Sequence, residues 1–388
     1  MLDVLYLASN IGDSTVAKRV DMLADGGASV AVAGFRRSGS GTLRLKADDH
    51  FELGETFDAR FGQRILAIAR AAGPLKARMR GRPAPDVIVA RNLEMLFLAS
   101  RLQPTWSDPP AIVYECLDIH RLLLRNDLVG QALRGLERHL ARKASLLLIS
   151  SPAFVREYFQ PYRQIELPTL VLENKVYRAG GGRGTNPALR PPANGPLRIG
   201  WFGALRCRKS LAILADFSAR MNGAVEIVLR GRPALTEFAD FHGFVAAQPF
   251  MSYEGSYRNP DDLAAIYSDV HLSWAIDYFE EGRNSKWLLP NRIYEGSLHG
   301  AIPVALAGTE TAAFLQANAI GVVLADTAPQ TLVDALGRLG PEALRGLADA
   351  VAVRPVSTFA ADARDARRLV DRLAQAAGAE RVALEVAA

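Results

Sequence analysis

Short, wholly apolar segments alternate with amphipathic segments along most of the chain, and this alternation limits its fold more than any other feature. Residues 4–8 form the first apolar segment, and a helical pattern follows from Ser14, with Val16, Val20 and Leu23 at helical spacing. Parallel strands that helices cover on both faces have this character, because neither face meets water. The pattern therefore predicts an α/β protein built on parallel sheets.

The same pattern continues in two runs that a break separates. Further strands are predicted at residues 29–35, 87–90, 111–114, 146–149, 170–172, 197–202, 225–230, 270–274 and 303–306. Helices of the second run are predicted at residues 210–221, 261–267 and 291–299. Between the runs, residues 178–196 are rich in glycine and proline and lack periodicity, which is typical of an interdomain linker.

We therefore predict two doubly wound, Rossmann-like domains, at residues 1–177 and 197–345, joined by the linker 178–196. A helical segment at 346–388 is a candidate for packing back on the first domain. Two such domains that face each other would form a deep cleft. Ligands bind doubly wound sheets at the carboxyl ends of the strands, where the strand order reverses.

Composition excludes several other classes of protein. Of the 388 residues, 49% are hydrophobic and 22% are charged, which excludes a disordered or collagen-like chain. The two cysteines, Cys116 and Cys207, exclude a thiolate zinc site and fit reduced cytosolic thiols. There is no apolar run long enough to span a membrane and no secretory signal, so we expect a cytoplasmic protein, soluble or attached to a membrane surface. The net charge of +5 weakly favours an anionic partner.

A polar loop followed by a helix in the second domain has the features of an anion site. Asn284 and Ser285 lie in the loop, and Pro290 suits the first turn of a helix that continues through Asn291. Backbone N–H groups at a helix start favour a phosphate. Glu295 follows about one turn later, where a carboxylate can accept hydrogen bonds from two ribose hydroxyls. An ordinary junction with Glu295 in solvent is the alternative.

Cations follow the first strand of the second domain. The loop after that strand contains Gly203, Arg206, Arg208 and Lys209. An arginine offers a two-pronged donor and a lysine a point charge, a combination that suits a diphosphate. Arg230 follows another strand and repeats the arrangement more weakly. A solvated basic loop is the alternative interpretation.

These two blocks resemble the donor half of GT-B glycosyltransferases, in particular family four. That family has a Gly…Lys loop, and Lys209 lies six residues after Gly203. It also has a Pro-x-Lys/Arg-x-x-Glu helix, which Pro290, Arg292 and Glu295 match. Residues 13–20 and 34–37 resemble bacterial exopolysaccharide transferases of the succinoglycan type, so the resemblance covers nearly the whole chain.

The resemblance implies a site for a nucleoside-diphosphate sugar, with UDP as the expected nucleotide. Its implied donor-binding residues are Gly203, Arg206, Lys209, Arg230, Asn284, Ser285, Pro290, Asn291, Arg292 and Glu295. Two positions depart from the family pattern. Ala204 stands where the family carries an arginine, and Trp287 stands where it often carries a second glutamate. The identity of the sugar is therefore not carried over.

Neither a cofactor nor a metal is expected. The chain contains no Asp-x-Asp sequence, which argues against a metal-chelated diphosphate. Arginine, lysine and helix N-termini would neutralise the leaving group instead. The resemblance further implies a retaining reaction, in which the departing phosphate can accept the proton of the acceptor.

Polar residues after the strands of the first domain are candidates for the acceptor site. Those for binding are Asn10, Gly12, Asp13, Arg91 and Asn92, and those for catalysis are Asp118 and His120. An aspartate or histidine there could orient or deprotonate an acceptor hydroxyl or contact the donor sugar. Each could also be a capping or loop residue, and Asp13 could cap the helix that starts at Ser14.

A cationic stretch runs from Arg60 to Arg82 without an acidic residue. Phe61, Ile65, Leu66 and Ile68 lie beside its positive charges, as in an amphipathic segment on an anionic membrane. A solvated basic helix face is the alternative. A nucleic-acid partner is not expected, because neither a recognised binding motif nor an aromatic platform is present.

The sequence thus predicts a membrane-associated hexosyltransferase of polysaccharide synthesis with a lipid-linked saccharide as its acceptor. Two alternatives remain open. A nucleotide-sugar 2-epimerase on the same architecture would convert the nucleotide sugar without an acceptor. A non-catalytic GT-B-like module of polysaccharide assembly would transfer nothing, and Trp287 in place of an acidic residue keeps this alternative open.

Overall fold

The computed structural model describes residues 1–37, 44–56, 61–180 and 195–387. The side chains of residues 61–66, 69 and 379–387 are outside this description, as is most of the predicted linker. The chain divides into two compact units. Unit 1 comprises Met1–Glu173, Tyr177–Gly181 and Ala361–Ala388, and unit 2 comprises Asn174–Val176 and Gly182–Ala360.

Unit 1 contains a parallel sheet of seven strands in the order β3-β2-β1-β4-β5-β6-β7. The strands are β1 (Leu2–Ala8), β2 (Ala28–Arg37), β3 (Asp49–Thr56), β4 (Val87–Arg91), β5 (Ala111–Cys116), β6 (Ala144–Ile149) and β7 (Thr169–Val171). The helices between them are α1 (Ser14–Asp25), α2 (Phe61–Met79), α3 (Asn92–Leu102), α4 (Leu128–Ala141) and α5 (Pro152–Phe154).

Unit 2 contains a parallel sheet of six strands in the order β11-β10-β9-β12-β13-β14. After the short strand β8 (Val176–Tyr177), these strands are β9 (Leu197–Leu205), β10 (Val225–Pro233), β11 (Met251–Tyr253), β12 (Leu272–Trp274), β13 (Ile302–Leu306) and β14 (Val322–Leu324). The helices are α6 (Arg208–Arg220), α7 (Phe241–Ala246), α8 (Leu263–Ser268), α9 (Asn291–Leu298), α10 (Glu310–Ala317), α11 (Pro329–Leu332) and α12 (Pro341–Ala352).

Two elements at the end of the chain complete the fold, together with several short helical turns. The elements are β15 (Ala360–Ala361), which pairs with β8, and the helix α13 (Ala363–Ala387). The turns are of the 3₁₀ type at Gln103–Thr105, Leu235–Glu237, Asn284–Lys286 and Val356–Thr358, and of the π type at Val155–Phe159 and Val333–Gly337.

The predicted α/β class with two doubly wound parallel sheets is confirmed. Every residue of β4 and of β5 is buried, as expected for strands that are covered on both faces. The pattern missed β3, β11 and β14, as well as the two-residue strands β8 and β15. Asp49–Thr56 is half exposed and polar, and the half-buried Met251–Tyr253 contains a serine, so neither contains an apolar run. Val322–Leu324 is apolar but has only three residues.

The last predicted segment is divided between the units. α12 contributes Leu344 and Ala348 to the core of unit 2, whereas α13 contributes Leu369 and Leu373 to the core of unit 1. α13 approaches the end of α1 closely, because a Cβ added to Gly26 would lie 2.5 Å from the carbonyl oxygen of Ala366.

Each sheet has one point at which the strand order reverses. In unit 1 it lies between β1 and β4, and in unit 2 it lies between β9 and β12. Loops that leave adjacent strands in opposite directions open a crevice at such a point, where ligands of doubly wound sheets bind. The loops after these four strands are therefore where a site is expected in each unit.

Candidate functional site

The loop after β9 is held in place by close backbone packing and by a cysteine cap. Gly203 and Gly231 both have positive φ angles, and a Cβ added to Gly231 would lie 2.0 Å from the carbonyl oxygen of Gly203. Only glycine tolerates that approach. Cys207 caps α6, because its Sγ accepts from the Ser210 N–H at 3.3 Å. The Ser210 hydroxyl donates to the Ile276 carbonyl oxygen at 3.3 Å, which links the loops after β9 and β12.

Lys209 is bound by the loop that follows β12. Its Nζ lies 2.6 Å from Oε1 of Glu281 and 4.2 Å from the centre of the Tyr278 ring. The hydrogen bond to Glu281 raises the pKa of Lys209 above its ordinary value. The side chains of Lys209 and Glu281 are 49% and 52% exposed, so water and ligands reach the pair.

Arg206 contacts the same loop. Its Nη2 lies 3.6 Å from Oδ2 of Asp277, and its guanidinium lies 4.5 Å from the centre of the Phe279 ring. Arg206 and Lys209 therefore face one segment across the reversal point of unit 2, and each has a carboxylate next to it. A diphosphate could take the place of these carboxylates, since it offers the same charge with more acceptor oxygens.

A cavity of about 350 Å³ opens beside Lys209 at the carboxyl ends of β12, β13 and β14. Its polar lining residues include Lys209, Asp277, Tyr278, Glu281, Ser285, Thr309 and Thr327. Tyr278 and Thr327 share a hydrogen bond of 2.8 Å, and the Ser285 hydroxyl accepts from the Glu280 N–H at 2.9 Å. The lining includes neither Arg206 nor Glu295.

Glu295 lies in α9 and is held by two donors. Its Oε1 accepts from Nδ2 of Asn259 at 2.7 Å, and its Oε2 accepts from the hydroxyl of Tyr267 at 3.4 Å. Only 6% of Glu295 is exposed, so the alternative of a junction with Glu295 in solvent does not hold. Burial, followed by the charge of Glu295, raises the pKa of Tyr257 well above its ordinary value, which identifies Tyr257 as a further neighbour.

Other predicted donor-binding residues surround the end of β9. Pro290 is the N-cap of α9, which starts at Asn291. Nη1 of Arg292 donates to the Phe202 carbonyl oxygen at 3.4 Å, directly before Gly203. The helix thereby brings Arg292 to the strand end that carries the cationic loop.

Two of the predicted donor-binding residues have other contacts. Arg230 forms an ion pair with the Glu254 carboxylate, and its Nη1 donates to the Glu254 carbonyl oxygen at 3.3 Å. Asn284 is 1% exposed. Arg230 therefore has a structural partner within unit 2, and Asn284 is buried.

The predicted acceptor residues of unit 1 come together at its reversal point, where most of them stabilise loops. Oδ1 of Asn10 accepts from the N–H groups of Gly12 and Arg37 at 3.1 and 3.2 Å. Asp13 caps α1 through the Thr15 N–H at 2.8 Å. Asn92 has a φ of 66°, and its Oδ1 accepts from the Leu117 N–H at 3.1 Å.

Arg91 belongs to a buried ionic cluster that was not anticipated. Glu115 is 2% exposed, and its carboxylate lies 2.7 Å from Nε of Arg19, 3.3 Å from Nε of Arg91 and 2.5 Å from the hydroxyl of Tyr6. Burial by itself would raise the pKa of Glu115, but Arg91, Arg19 and Tyr6 together lower it to about 2. Nη1 of Arg91 also donates to the Thr15 hydroxyl at 3.0 Å. A glutamate within an otherwise apolar predicted strand was the feature of the sequence that could have indicated this cluster.

Asp118 and His120 lie in the loop after β5, at the same edge of the unit 1 sheet. Asp118 is exposed and His120 is half-buried. Nδ1 of His120 accepts from the Leu122 N–H at 3.3 Å, and the Cys116 thiol lies 3.7 Å from the Asp118 carbonyl oxygen. Their predicted catalytic role stays a prediction.

The basic stretch is only partly described. Arg60 and the side chains of Phe61, Arg64, Ile65 and Leu66 lie outside the described residues. Ile68 is 3% exposed, so the expectation that it supplies apolar surface is wrong: helical periodicity turns it toward the core. Of the cations, Arg70, Arg78 and Arg80 are exposed. Arg82 forms an ion pair with Asp49 at 2.6 Å.

The described part of the chain lacks two further features. No helix in it is both long and apolar enough to cross a membrane. Histidine, cysteine, aspartate and glutamate side chains do not form a group of three or more suited to a metal ion in those same residues.

The fold has known counterparts. Sucrose-phosphate synthase from Thermosynechococcus elongatus aligns with a TM-score of 0.68 and 13% identity over 100% of both chains. Anabaena Alr3699/HepE aligns with a TM-score of 0.66 and 14% identity, covering 96% of this chain and 99% of that one. No protein-family model matches the chain.

These similarities and the two reversal points define a GT-B fold, the fold of a large class of glycosyltransferases. Within it, the chain belongs to the family of the succinoglycan biosynthesis protein ExoL. It is 50% identical to the ExoL protein of Rhizobium meliloti (strain 1021) over 377 residues, which are 96% of this chain and 94% of that protein. The resemblance that the sequence motifs indicated is confirmed.

Proposed function

We propose that this chain is a glycosyltransferase of exopolysaccharide synthesis. It moves a hexose from a nucleoside-diphosphate sugar, with UDP as the nucleotide, to a lipid-linked oligosaccharide. The GT-B fold, the kinship with a protein named for succinoglycan biosynthesis, and the HepE structures described as complexes with UDP and with UDP-glucose support this proposal. The single observation that carries it is the position of Lys209, which lies beside a polar cavity at the reversal point of unit 2.

Unit 2 binds the donor. Lys209 and Arg206 exchange Glu281 and Asp277 for the diphosphate, and the start of α9 adds backbone donors. Glu295 binds the ribose hydroxyls. Its carboxylate is already oriented by Asn259 and Tyr267, so little rotamer freedom remains to be lost when the nucleotide binds.

The reaction breaks the bond between the anomeric carbon and the diphosphate oxygen and forms a bond from that carbon to the acceptor oxygen. The acceptor proton passes to an oxygen of the departing phosphate, which fits a retaining reaction. The charge that develops on the leaving group is neutralised by Lys209 and Arg206, so that no metal ion is needed. Asp118 and His120 of unit 1 orient the acceptor or the donor sugar.

Unit 1 binds the acceptor, and Asn10, Gly12 and Asp13 form the candidate surface together with Asn92. Arg91 is buried beneath this surface and holds it through Thr15. A lipid-linked acceptor requires the enzyme to work at the inner face of the cytoplasmic membrane. The exposed cations Arg70, Arg78 and Arg80 would contribute to its attraction to anionic lipid.

A transfer assay tests the proposal. The purified protein is incubated with labelled UDP-glucose and a membrane extract, in parallel with and without EDTA. Label that moves into the lipid fraction, equally in both conditions, is the expected result. A free isomer of the nucleotide sugar formed without extract would instead identify an epimerase. No turnover of several UDP-sugars, despite UDP binding, would identify a non-catalytic module.

Two variants sharpen the assay. Lys209→Ala should abolish transfer to lipid, because the leaving group loses its cation. Glu342→Gln changes an exposed charge of unit 2 away from the site and serves as the control. Transfer that depends on added Mg²⁺ would contradict the metal-independent part of the proposal while leaving the transferase assignment intact.

A further inference from the structure

Helix α4 presents three of its large apolar side chains to solvent. Leu128 is 80% exposed, Val129 is 49% exposed and Leu136 is 41% exposed. Leu128, Ala132 and Leu136 follow one another at intervals of four residues and therefore lie on one face of the helix. This apolar face is additional to the inward one, on which Leu140 is 5% exposed, whereas leucines of a surface helix usually face only the core.

The inward face of α4 explains this orientation, because it buries polar groups that are all satisfied. Glu137 is 0% exposed and accepts from the hydroxyls of Tyr114 and Tyr158 at 2.8 and 2.6 Å and from Nε2 of Gln164 at 2.7 Å. Rotating the helix to bury Leu128 and Leu136 would break these three hydrogen bonds. A carboxylate without them would be left in the interior, which is costly.

Arg134 also lies on the buried face of α4, where it binds the segment that precedes the helix. Its Nη1 donates to the carbonyl oxygens of Leu123 and Arg125 at 2.5 and 2.7 Å. The buried hydrogen bonds of Arg134 and Glu137 together determine which way the helix faces. Solvent exposure of the leucines is therefore a consequence of specific bonds and not of a loosely packed helix.

The exposed face of α4 is also cationic. Arg138, Arg142 and Lys143 are exposed at and just beyond its last turn. Glu137 is the one acidic residue within α4, and it is buried. Asp127, which caps the helix, is neutralised by an ion pair with Arg125. Leucines beside unopposed cations are the composition of a helix that lies in the interface of an anionic membrane.

We propose that the outer face of α4 docks on an anionic lipid surface. Leu128, Val129 and Leu136 enter the boundary between head groups and acyl chains, and Arg142 and Lys143 contact the lipid phosphates. A second copy of this chain is a poorer occupant, since a symmetric contact would bring these cations close to their own counterparts.

The neighbouring helices place further cations on the same side of the sheet. α3 packs against both α2 and α4, so these three helices form one layer. The exposed Arg70, Arg78 and Arg80 of α2 lie in that layer and add to its attraction for an anionic surface. The inference deepens the proposed function, because it names the surface that brings the acceptor-binding unit to a lipid-linked substrate.

Sedimentation with vesicles tests the inference on the full chain. The vesicles contain either phosphatidylcholine alone or phosphatidylcholine with phosphatidylglycerol at about 30%, because anionic lipid supplies the surface potential. Leu128→Gln with Leu136→Gln should lower partitioning onto the anionic vesicles by about tenfold, since two apolar side chains no longer gain from burial. Leu235→Gln, at a leucine of unit 2 that is 59% exposed, is the matched control and should bind as the unaltered protein does.

A second pair of variants tests whether the cations at the end of α4 contribute to vesicle binding. Arg142→Gln with Lys143→Gln should weaken binding to anionic vesicles and leave the weak binding to neutral ones unchanged. Arg367→Gln with Arg372→Gln, two exposed arginines of α13, removes the same charge elsewhere and should have a smaller effect. Raising the salt from about 0.05 M to about 0.5 M should diminish the difference between the two lipid compositions, because screening shortens the range of the charges.

Several outcomes would overturn the inference. They are unaltered sedimentation of the leucine variant, equal losses in the control variants, a failure of the unaltered protein to bind anionic vesicles, and loss of binding only when Lys76, Arg78, Arg80 and Arg82 are neutralised. Circular dichroism and UDP binding should be the same for all variants. Vesicle binding needs no donor, so a failed transfer assay and a failed vesicle assay remain distinguishable.

Discussion

Nζ of Lys209 lies 2.6 Å from Oε1 of Glu281, although 72 residues separate them in the chain. The first turn of α6 and the loop after β12 bring the pair together at the reversal point of unit 2. A lysine predicted to bind a diphosphate is thus already paired with an anion of the protein itself. In the proposed function, donor binding replaces this anionic partner of Lys209 by the diphosphate.

The first prediction follows from this competition. Glu281→Gln removes the competing charge and leaves Lys209 free to bind an anion. UDP affinity measured by calorimetry should rise by about 2–5-fold, which corresponds to the ~0.5–1 kcal/mol of an exposed ion pair. Glu342→Gln removes an exposed acidic charge elsewhere in unit 2 and should leave the affinity unchanged. Weaker UDP binding by the Glu281 variant would mean that this carboxylate helps to bind the nucleotide.

The second prediction concerns Lys209 itself. Lys209→Ala should weaken UDP binding by roughly 1.5–3 kcal/mol, the range of a hydrogen bond to a charged group. Arg220→Ala, which removes a cation from the far end of the same helix, is the control. Unchanged UDP affinity in the Lys209 variant would remove this residue from the donor site.

The third prediction distinguishes residues that bind the ribose from residues that bind the diphosphate. Glu295→Gln should weaken UDP binding about tenfold, because one charge-assisted acceptor is lost, and should leave pyrophosphate binding unchanged. Tyr267→Phe removes only a donor to Glu295 and should have a smaller effect. Equal losses for UDP and pyrophosphate would assign Glu295 to the phosphate subsite or to the fold.

The fourth prediction concerns the stability of unit 1. Glu115→Gln leaves Arg19 and Arg91 buried without their anion and should lower the free energy of unfolding by about 3–5 kcal/mol at pH 7. The folded pKa of Glu115 is about 2, below its ordinary value of 4.5. Its contribution is therefore complete above about pH 4.5 and is lost as the pH falls toward 2. Urea unfolding at several pH values should show the difference between the variant and the unaltered protein shrinking on acidification.

Glu137 provides a control, because its pKa is shifted in the direction opposite to that of Glu115. Burial raises its pKa, although Tyr158, Gln164 and Tyr114 oppose this through hydrogen bonds. Acidification should therefore stabilise the unaltered protein relative to Glu137→Gln. The same pH trend for both variants would show that global charge, and not these two carboxylates, governs the acid response.

The alternation of apolar and amphipathic segments was enough to predict both sheets, because buried parallel strands are apolar at every position. β4 and β5 are fully buried and were recognised from their residues alone. β3 was missed because half of its residues face solvent. The two glycine- and cation-containing blocks of the second domain likewise indicated the candidate site, since each follows a strand, and their role in binding stays a prediction.

The partners of the site residues could not be predicted. Asn259 lies 36 residues from Glu295, and Tyr267 lies 28 residues from it. Such distances in the chain carry no periodic signal. The outward leucines of α4 were missed for a related reason: a helical pattern shows that a helix has two faces, but the bonds of Glu137 to other elements decide which face is buried.

The order of residues by itself determined the α/β class, the two parallel sheets and the loops that carry the candidate cations. Those features depend on neighbours within a few positions, where periodicity and glycine geometry act. Only the tertiary structure decided that Lys209 meets Glu281, that Arg91 is buried on Glu115 and that α4 turns two of its leucines outward. Each of these depends on which strands lie side by side, and strand order is set by the packing of the whole unit.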